Sequence, residues 1–161
     1  EQAVCENSVL TDIVIPDTVT SIGTSAFYKR HALTEIYIPK NVTSIGSSAF
    51  EWSSVLEKIN WNAVNVSDFA SSNSIFYNAG RSGNGVDVIF GDEVEHISGY
   101  LFYATSDSSY LPKINSVHFG KMVSSVGSGA FNKITGIKRI TADDVYVPKV
   151  TGNYAYGRCL Y

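Results

Sequence analysis

The chain is written in repeats. The string IVIPDTVTSIGTSAF, Ile13 to Phe27, returns as IYIPKNVTSIGSSAF, Ile36 to Phe50. Pro16 to Pro39, Ile22 to Ile45 and Phe27 to Phe50 are each 23 residues apart, and self-similarity at such a period marks an array of stacked units rather than a folded-over globule. Each repeated letter has a physical task. Ile13 and Ile15 lie two apart, so with Leu10 they turn into a core while Asp12 and Val14 point outward. Pro16 and Pro39 donate no backbone hydrogen bond and suit the end of a strand. Gly23, Gly46 and Gly127 follow an inward Ile or Val, where a tight turn or a positive φ excludes a side chain. Ala26-Phe27 and its copies pair a small residue with a large one, so that rings of adjacent coils stack.

The pattern divides the chain into residues 1–9, which match the tail of a preceding repeat, and six repeats at 10–32, 33–55, 56–84, 85–113, 114–136 and 137–161. The aromatic column Phe27, Phe50, Phe76, Phe102 and Phe131 is spaced 23, 26, 26 and 29. Extra residues in a solenoid bulge as loops and leave the strands in register. The added residues fall in the polar stretch Ser67 to Ser74, in the Gly-rich turn Gly80 to Gly85, and around Ser106 to Pro112. The sixth repeat opens with Ile137, Ile140 and Ala142 and then loosens; Ala155-Tyr156 holds its small-aromatic pair two residues late. No polar cap is evident at either end and the only Met is Met122, so the expectation is one solenoid excised from a longer array.

A net charge of -3, from 12 basic and 15 acidic residues, creates no field for nucleic acid phosphates or an acidic membrane surface. No run approaches the roughly 20 apolar residues of a membrane span, and no signal peptide or lipidation motif is visible. Cys5 and Cys159 stand at opposite ends; stacked coils would hold them about 29 Å apart, against a disulfide limit of about 7 Å. They are predicted to be unbonded to each other.

Chemistry-bearing residues form no recognisable set. His31, His96 and His118 fall in three different columns without metal-ligand spacing. Ser21, Ser44 and Ser125 occupy equivalent turns, where hydroxyls satisfy local backbone groups, and no base and orienter accompany them in sequence. The GRSGNG turn lacks the lysine and helix of a phosphate loop. Asp92-Glu93 and Asp143-Asp144 lack the further oxygens a calcium site needs. Asn41-Val-Thr43 and Asn65-Val-Ser67 match the glycosylation acceptor pattern. No catalytic residue, cofactor or metal is predicted.

The pattern L-x-x-I-x-I-P-x-x-V-x-x-I-G-x-x-A-F, read at Leu10 to Phe27 and Leu33 to Phe50, resembles the BspA-type leucine-rich repeats. The resemblance covers essentially the whole chain. It implies a repeat solenoid, a right-handed leucine-rich-repeat superhelix of strand and loop with a parallel sheet on one face. It also implies a non-enzymatic bacterial protein, secreted or held at the cell surface, of a kind associated with adhesion to host proteins; acceptor asparagines would be idle there. The column three residues after the aromatic, often Cys in that family, holds Arg30, Ser53, Ala79, Thr105 and Ile134, and only Cys159 fits. That departure removes a core thiol and leaves the fold intact.

A partner would meet the surface that varies. The outward strand positions form columns, Asp12, Glu35, Lys58, Asp87, Ser116 and Arg139, then Val14, Tyr37, Asn60, Ile89, His118 and Thr141, then Pro16, Pro39, Asn62, Gly91, Gly120 and Asp143. The candidate protein-binding face is Asp12, Val14, Glu35, Tyr37, Lys58, Asn60, Asp87, Ile89, His118 and Arg139, centred on Tyr37, whose side chain joins area to a polar tip. The stretches Phe69 to Tyr77 and Tyr103 to Tyr110, and Tyr146, Tyr154, Tyr156 and Tyr161, are further contact candidates. A host or microbial surface protein is the expected partner; a glycan bound by exposed tyrosines, and a spacer that binds nothing, are the other readings.

Overall fold

The structure is a computed structural model that describes residues 10–103, 108–143 and 149–150. Cys5, Cys159, Tyr146, Tyr154, Tyr156 and Tyr161, and with them the expected absence of a Cys5–Cys159 bond, lie outside the described residues.

Each coil contributes one longer strand to a six-stranded parallel sheet. In chain order these are β1 (Asp12–Val14), β3 (Glu35–Ile38), β5 (Lys58–Trp61), β6 (Val86–Phe90), β8 (Ile114–Phe119) and β10 (Arg139–Ala142), each bonded to the next. The register is continuous: Asp12, Glu35, Lys58, Asp87, Ser116 and Arg139 are successive partners, as are Val14, Tyr37, Asn60, Ile89, His118 and Thr141. One irregularity between Val86 and Asp87, opposite Ile114 and Ser116, absorbs Asn115 as an extra residue. Among the described residues β1 and β10 are the edge strands and the sheet does not close on itself.

The inward positions make the core. Ile36, Ile59, Val88 and Val117 form one buried column and Ile38, Trp61, Phe90 and Phe119 a second, with the Phe90 and Phe119 rings stacked at 6.0 Å. On the opposite wall Phe27, Phe50, Phe76, Phe102 and Phe131 stack in sequence with centroids 5.2, 5.2, 5.3 and 5.2 Å apart, the offset spacing that aromatic pairs prefer. Cover is incomplete at the first and last described coils. Leu10 is 54% exposed and Ile140 38%, and Ala142 is exposed too, although all three occupy positions expected to face inward.

Two expectations need correction. The repeated serines are not in turns: Ser21, Ser44 and Ser125 begin short parallel strands, β2 (Ser21–Ile22), β4 (Ser44–Ile45) and β9 (Ser125–Val126). β2 pairs with β4, and β9 pairs with β7 (His96–Ile97) and β11 (Lys149–Val150). The glycines of that wall do not have positive φ. A Cβ on Gly46 would collide with the backbone of Thr24, and one on Gly127 with the backbone of Gly99, so close approach of coils requires these two, whereas a Cβ on Gly23 would meet nothing. The positive φ values stand elsewhere, in two columns flanking the aromatic. Ser25, Ser48, Ser74, Tyr100 and Gly129 precede it by two residues, at φ 54, 57, 49, 55 and 67. Lys29, Trp52, Asn78 and Lys133 follow it by two, at 55, 66, 64 and 63. Of the column three residues after the aromatic, Arg30, Ser53, Ala79 and Ile134 are buried and Thr105 lies outside the described residues; the Ser53 Oγ finds no hydrogen-bond partner among the described residues. The added stretch Ser67 to Ser74 of the third coil is largely exposed, with Phe69 buried within it.

Candidate functional site

The sheet face assembles all ten predicted residues into two adjacent columns, and strand spacing puts Asp12 about 24 Å from Arg139. Within that face most polar members bind one another across coils. The Lys58 ammonium lies 3.2 Å from Glu35 Oε1, and Asn60 donates to the same oxygen at 2.7 Å. Asp87 Oδ1 accepts from Ser116 Oγ at 2.6 Å and from Asn115 Nδ2 at 2.8 Å. The His118 ring is 2.9 Å from Thr141 Oγ1 and 3.4 Å from Asp143. Among the described residues the Asp12 carboxylate accepts only from its neighbour Thr11, and Arg139 is exposed. The apolar members differ sharply: Ile89 is half-buried, whereas Val14 is 86% and Tyr37 44% exposed and the two are register partners. Solvent-facing apolar surface is therefore concentrated at the β1–β3 end.

The contact candidates in the added stretches separate. In Phe69 to Tyr77, Phe69, Ile75 and Phe76 are buried, whereas Ala70, Ser71 and Ser72 are exposed and Asn73, Ser74 and Tyr77 half-buried. In Tyr103 to Tyr110, residues 104–107 lie outside the described residues; Ser108–Tyr110 is a single 3-10 turn. Tyr110, 40% exposed, packs on Trp52 at 5.4 Å and on Tyr77 at 5.8 Å, with Trp52 and Tyr77 5.9 Å apart. Sequence reading missed Trp52. The signal was there, because Trp52 and Tyr77 follow the stacked Phe50 and Phe76 by two residues and one, next to the ring column.

The structure also joins three residues that the sequence kept apart. His96 Nδ1 is 2.8 Å from Ser125 Oγ and its Nε2 is 2.9 Å from Asp68 Oδ1. Asp68 Oδ1 also accepts the Gly99 N–H at 2.6 Å. Partial burial pushes the Asp68 carboxyl up, but the Gly99 N–H and the His96 ring outweigh it and hold it below the ordinary carboxylate value. An acyl-transfer site needs free N–H donors aimed at the developing oxyanion. Here the N–H of Gly99 is held by Asp68, that of Gly127 by Ile97 O at 2.7 Å, and that of Ser125 by Glu95 O at 3.3 Å. The equivalent Gly46 N–H bonds to Ile22 O. The Asp68 carboxylate thus substitutes for a backbone acceptor where the lengthened third coil interrupts the short-strand ladder, and the trio is a strap between coils.

Among the described residues no three His, Cys, Asp or Glu side chains converge on a possible metal position, and no helix is long and apolar enough to cross a membrane. His31 is exposed. Asp92 is bonded by the Lys121 ammonium at 2.7 Å, and chiefly that bond holds its carboxyl below the ordinary value.

Parallel strands in register, an inward ring ladder and a varied outward face define a repeat solenoid of the leucine-rich-repeat class. The family model of the BspA type Leucine rich repeat region matches residues 1–112 and 107–160, with six copies. The chain belongs to that family, whose repeats make a protein-interaction module. No curated protein and no solved structure matches it.

Proposed function

We propose that the protein is a non-enzymatic recognition and adhesion module, one solenoid over residues 1–161, exposed outside the cell on a secreted or surface-attached protein, and that it captures a host or microbial surface protein on its sheet face. The observation that carries this reading is the Val14–Tyr37 pair, 86% and 44% exposed, on the one end of the face where no polar cross-coil bond occupies the second column. An exposed tyrosine beside an aliphatic side chain is the composition of an interface anchor. Asp12 and the Glu35–Lys58 pair form its polar rim.

A spacer role is the second reading, favoured by the bonds that knit Glu35, Lys58, Asn60, Asp87 and Ser116 to one another and leave little of the first column unsatisfied. Biolayer interferometry of the purified chain against a panel of soluble matrix and cell-surface proteins separates the two. Recognition predicts saturable binding to at least one of them that Val14→Arg and Tyr37→Ala each weaken about tenfold or more, with melting temperatures near wild type. Silence across the panel, or binding indifferent to both substitutions, sinks the sheet-face reading.

A further inference from the structure

The turns after β1, β3, β5 and β6 leave a depression of about 350 Å³ at the edge of the sheet, lined by Asp17, Tyr37, Lys40, Asn62, Asp92 and Glu93. That volume is at the small end of the ~300–1,000 Å³ typical of ligand sites, enough for one or two sugar rings. Glycine helps shape it. A Cβ on Gly91 would collide with Asn62 Oδ1, so the bare glycine gives the Asn62 amide its place beside the next coil.

The charges in the depression largely cancel. Lys40 lies 4.0 Å from Glu93 and Lys121 lies 2.7 Å from Asp92, so of the three carboxylates only Asp17 has no basic partner among the described residues. The Asp17 carboxylate, the Asn62 amide and the Tyr37 hydroxyl make no side-chain hydrogen bond to a described residue. Together the lining offers acceptors at Asp17 and Glu93, a donor at Lys40, both at Asn62, and a flat ring with a polar tip at Tyr37. A purely aliphatic ligand would desolvate those polar groups without replacing their hydrogen bonds. An anionic ligand would find the Lys40 and Lys121 ammoniums already engaged, and a cation would find the single unpaired carboxylate of Asp17. A pyranose matches the set, with an apolar C–H face for the ring and hydroxyls that both donate and accept.

We propose that this depression is a saccharide-binding site for one or two neutral pyranose rings, with a sugar face on Tyr37 and hydroxyls on Asp17, Asn62 and Glu93. The site shares Tyr37 with the protein-capture reading and differs from it at Val14, which does not line the depression.

The test is an NMR titration of the isotopically labelled chain with glucose, galactose, mannose, N-acetylglucosamine, maltose, cellobiose, lactose and chitobiose at millimolar concentration. The expected result is that at least one sugar shifts the Tyr37 ring and Asn62 amide signals. Tyr37→Ala and Asp17→Asn should each weaken that response by about tenfold, while Tyr110→Ala and Val14→Arg leave it unchanged. Asp17→Asn keeps the shape of an exposed turn residue, so its effect does not depend on refolding. The proposal is overturned if no sugar moves those signals, or if the response survives Tyr37→Ala. It is equally overturned if N-acetylarginine amide moves them and no sugar does, which would assign the depression to a basic side chain. Loss of protein capture in Val14→Arg with the sugar response retained shows that the two sites fail independently.

Discussion

Replacing Asp68 by alanine tests the idea that one carboxylate repairs the short-strand ladder. In the wild type Asp68 Oδ1 takes the N–H of the buried Gly99 at 2.6 Å and the His96 ring at 2.9 Å. Asp68→Ala strands a buried backbone donor, which costs about 1–3 kcal/mol. The His96 contact adds only a few tenths, because the Asp68 side chain is 57% exposed and its pair with His96 is screened. A loss of about 2 kcal/mol lowers the melting temperature by roughly 4–8 °C at this chain length. Asp68→Asn keeps an oxygen for Gly99 and should lose less than about 1 kcal/mol near neutral pH.

The pH dependence carries the same signature. A carboxyl held below its unfolded value stabilises the fold fully above that unfolded value, about 3.9, and the contribution fades as pH falls through the lowered folded value. The difference between wild type and Asp68→Asn should therefore shrink below about pH 4. Urea unfolding at several pH values, with hydrogen exchange of the Gly99 amide, reads both effects. Equal stability of the Ala and Asn variants, or unchanged Gly99 exchange in Asp68→Ala, refutes the assignment.

Three further substitutions probe the stack. Phe50 is fully buried between the Phe27 and Phe76 rings, so Phe50→Ala should cost about 3–5 kcal/mol in denaturant unfolding; a cost near 1 would mean that the rings are not a packed column. Ser53→Ala removes a buried hydroxyl without a described partner and should raise stability by about 1 kcal/mol, whereas destabilisation would reveal a bond to that oxygen. Ser48 sits at φ 57, a conformation that costs a side-chain-bearing residue about 1–2 kcal/mol. After the greater unfolded-state freedom of glycine is subtracted, Ser48→Gly should gain about 0.5–1 kcal/mol and Ser48→Val should lose at least as much; a gain for valine would contradict the backbone assignment.

The sheet was legible because its signal is redundant. Six coils repeat one inward-outward alternation, so the register of Asp12 to Arg139 and of Val14 to Thr141 could be counted from the letters. The ring ladder was legible for the same reason, since unequal periods still ended on a small-aromatic pair. What escaped was whatever depends on two coils meeting. Ser21 and Ser44 read as turn residues because a two-residue strand has no periodicity of its own; it exists only through its neighbour's hydrogen bonds. Gly46 and Gly127 read as glycines of a tight turn or a positive φ, when the constraint is the backbone of the adjacent coil. Ser48 and Ser74 carry the left-handed backbone instead, and serine gives no sign of it. In the candidate face, exposure of Val14 and Tyr37 was foreseeable. The pairing of Glu35 with Lys58 and Asn60 needed the side-chain geometry, and it is why the proposed capture surface is confined to one end of the sheet.

The central claim is that the repeated letters build the solenoid while the outward β1–β3 end meets the partner. Side-chain footprinting of the chain with and without a captured protein tests this most directly. The account predicts that Val14 and Tyr37 become protected while Trp52, Tyr77 and Tyr110 are labelled as before. Protection of the Trp52–Tyr77–Tyr110 cluster with Tyr37 still labelled would contradict it and move the binding surface to the flank beside the ring ladder.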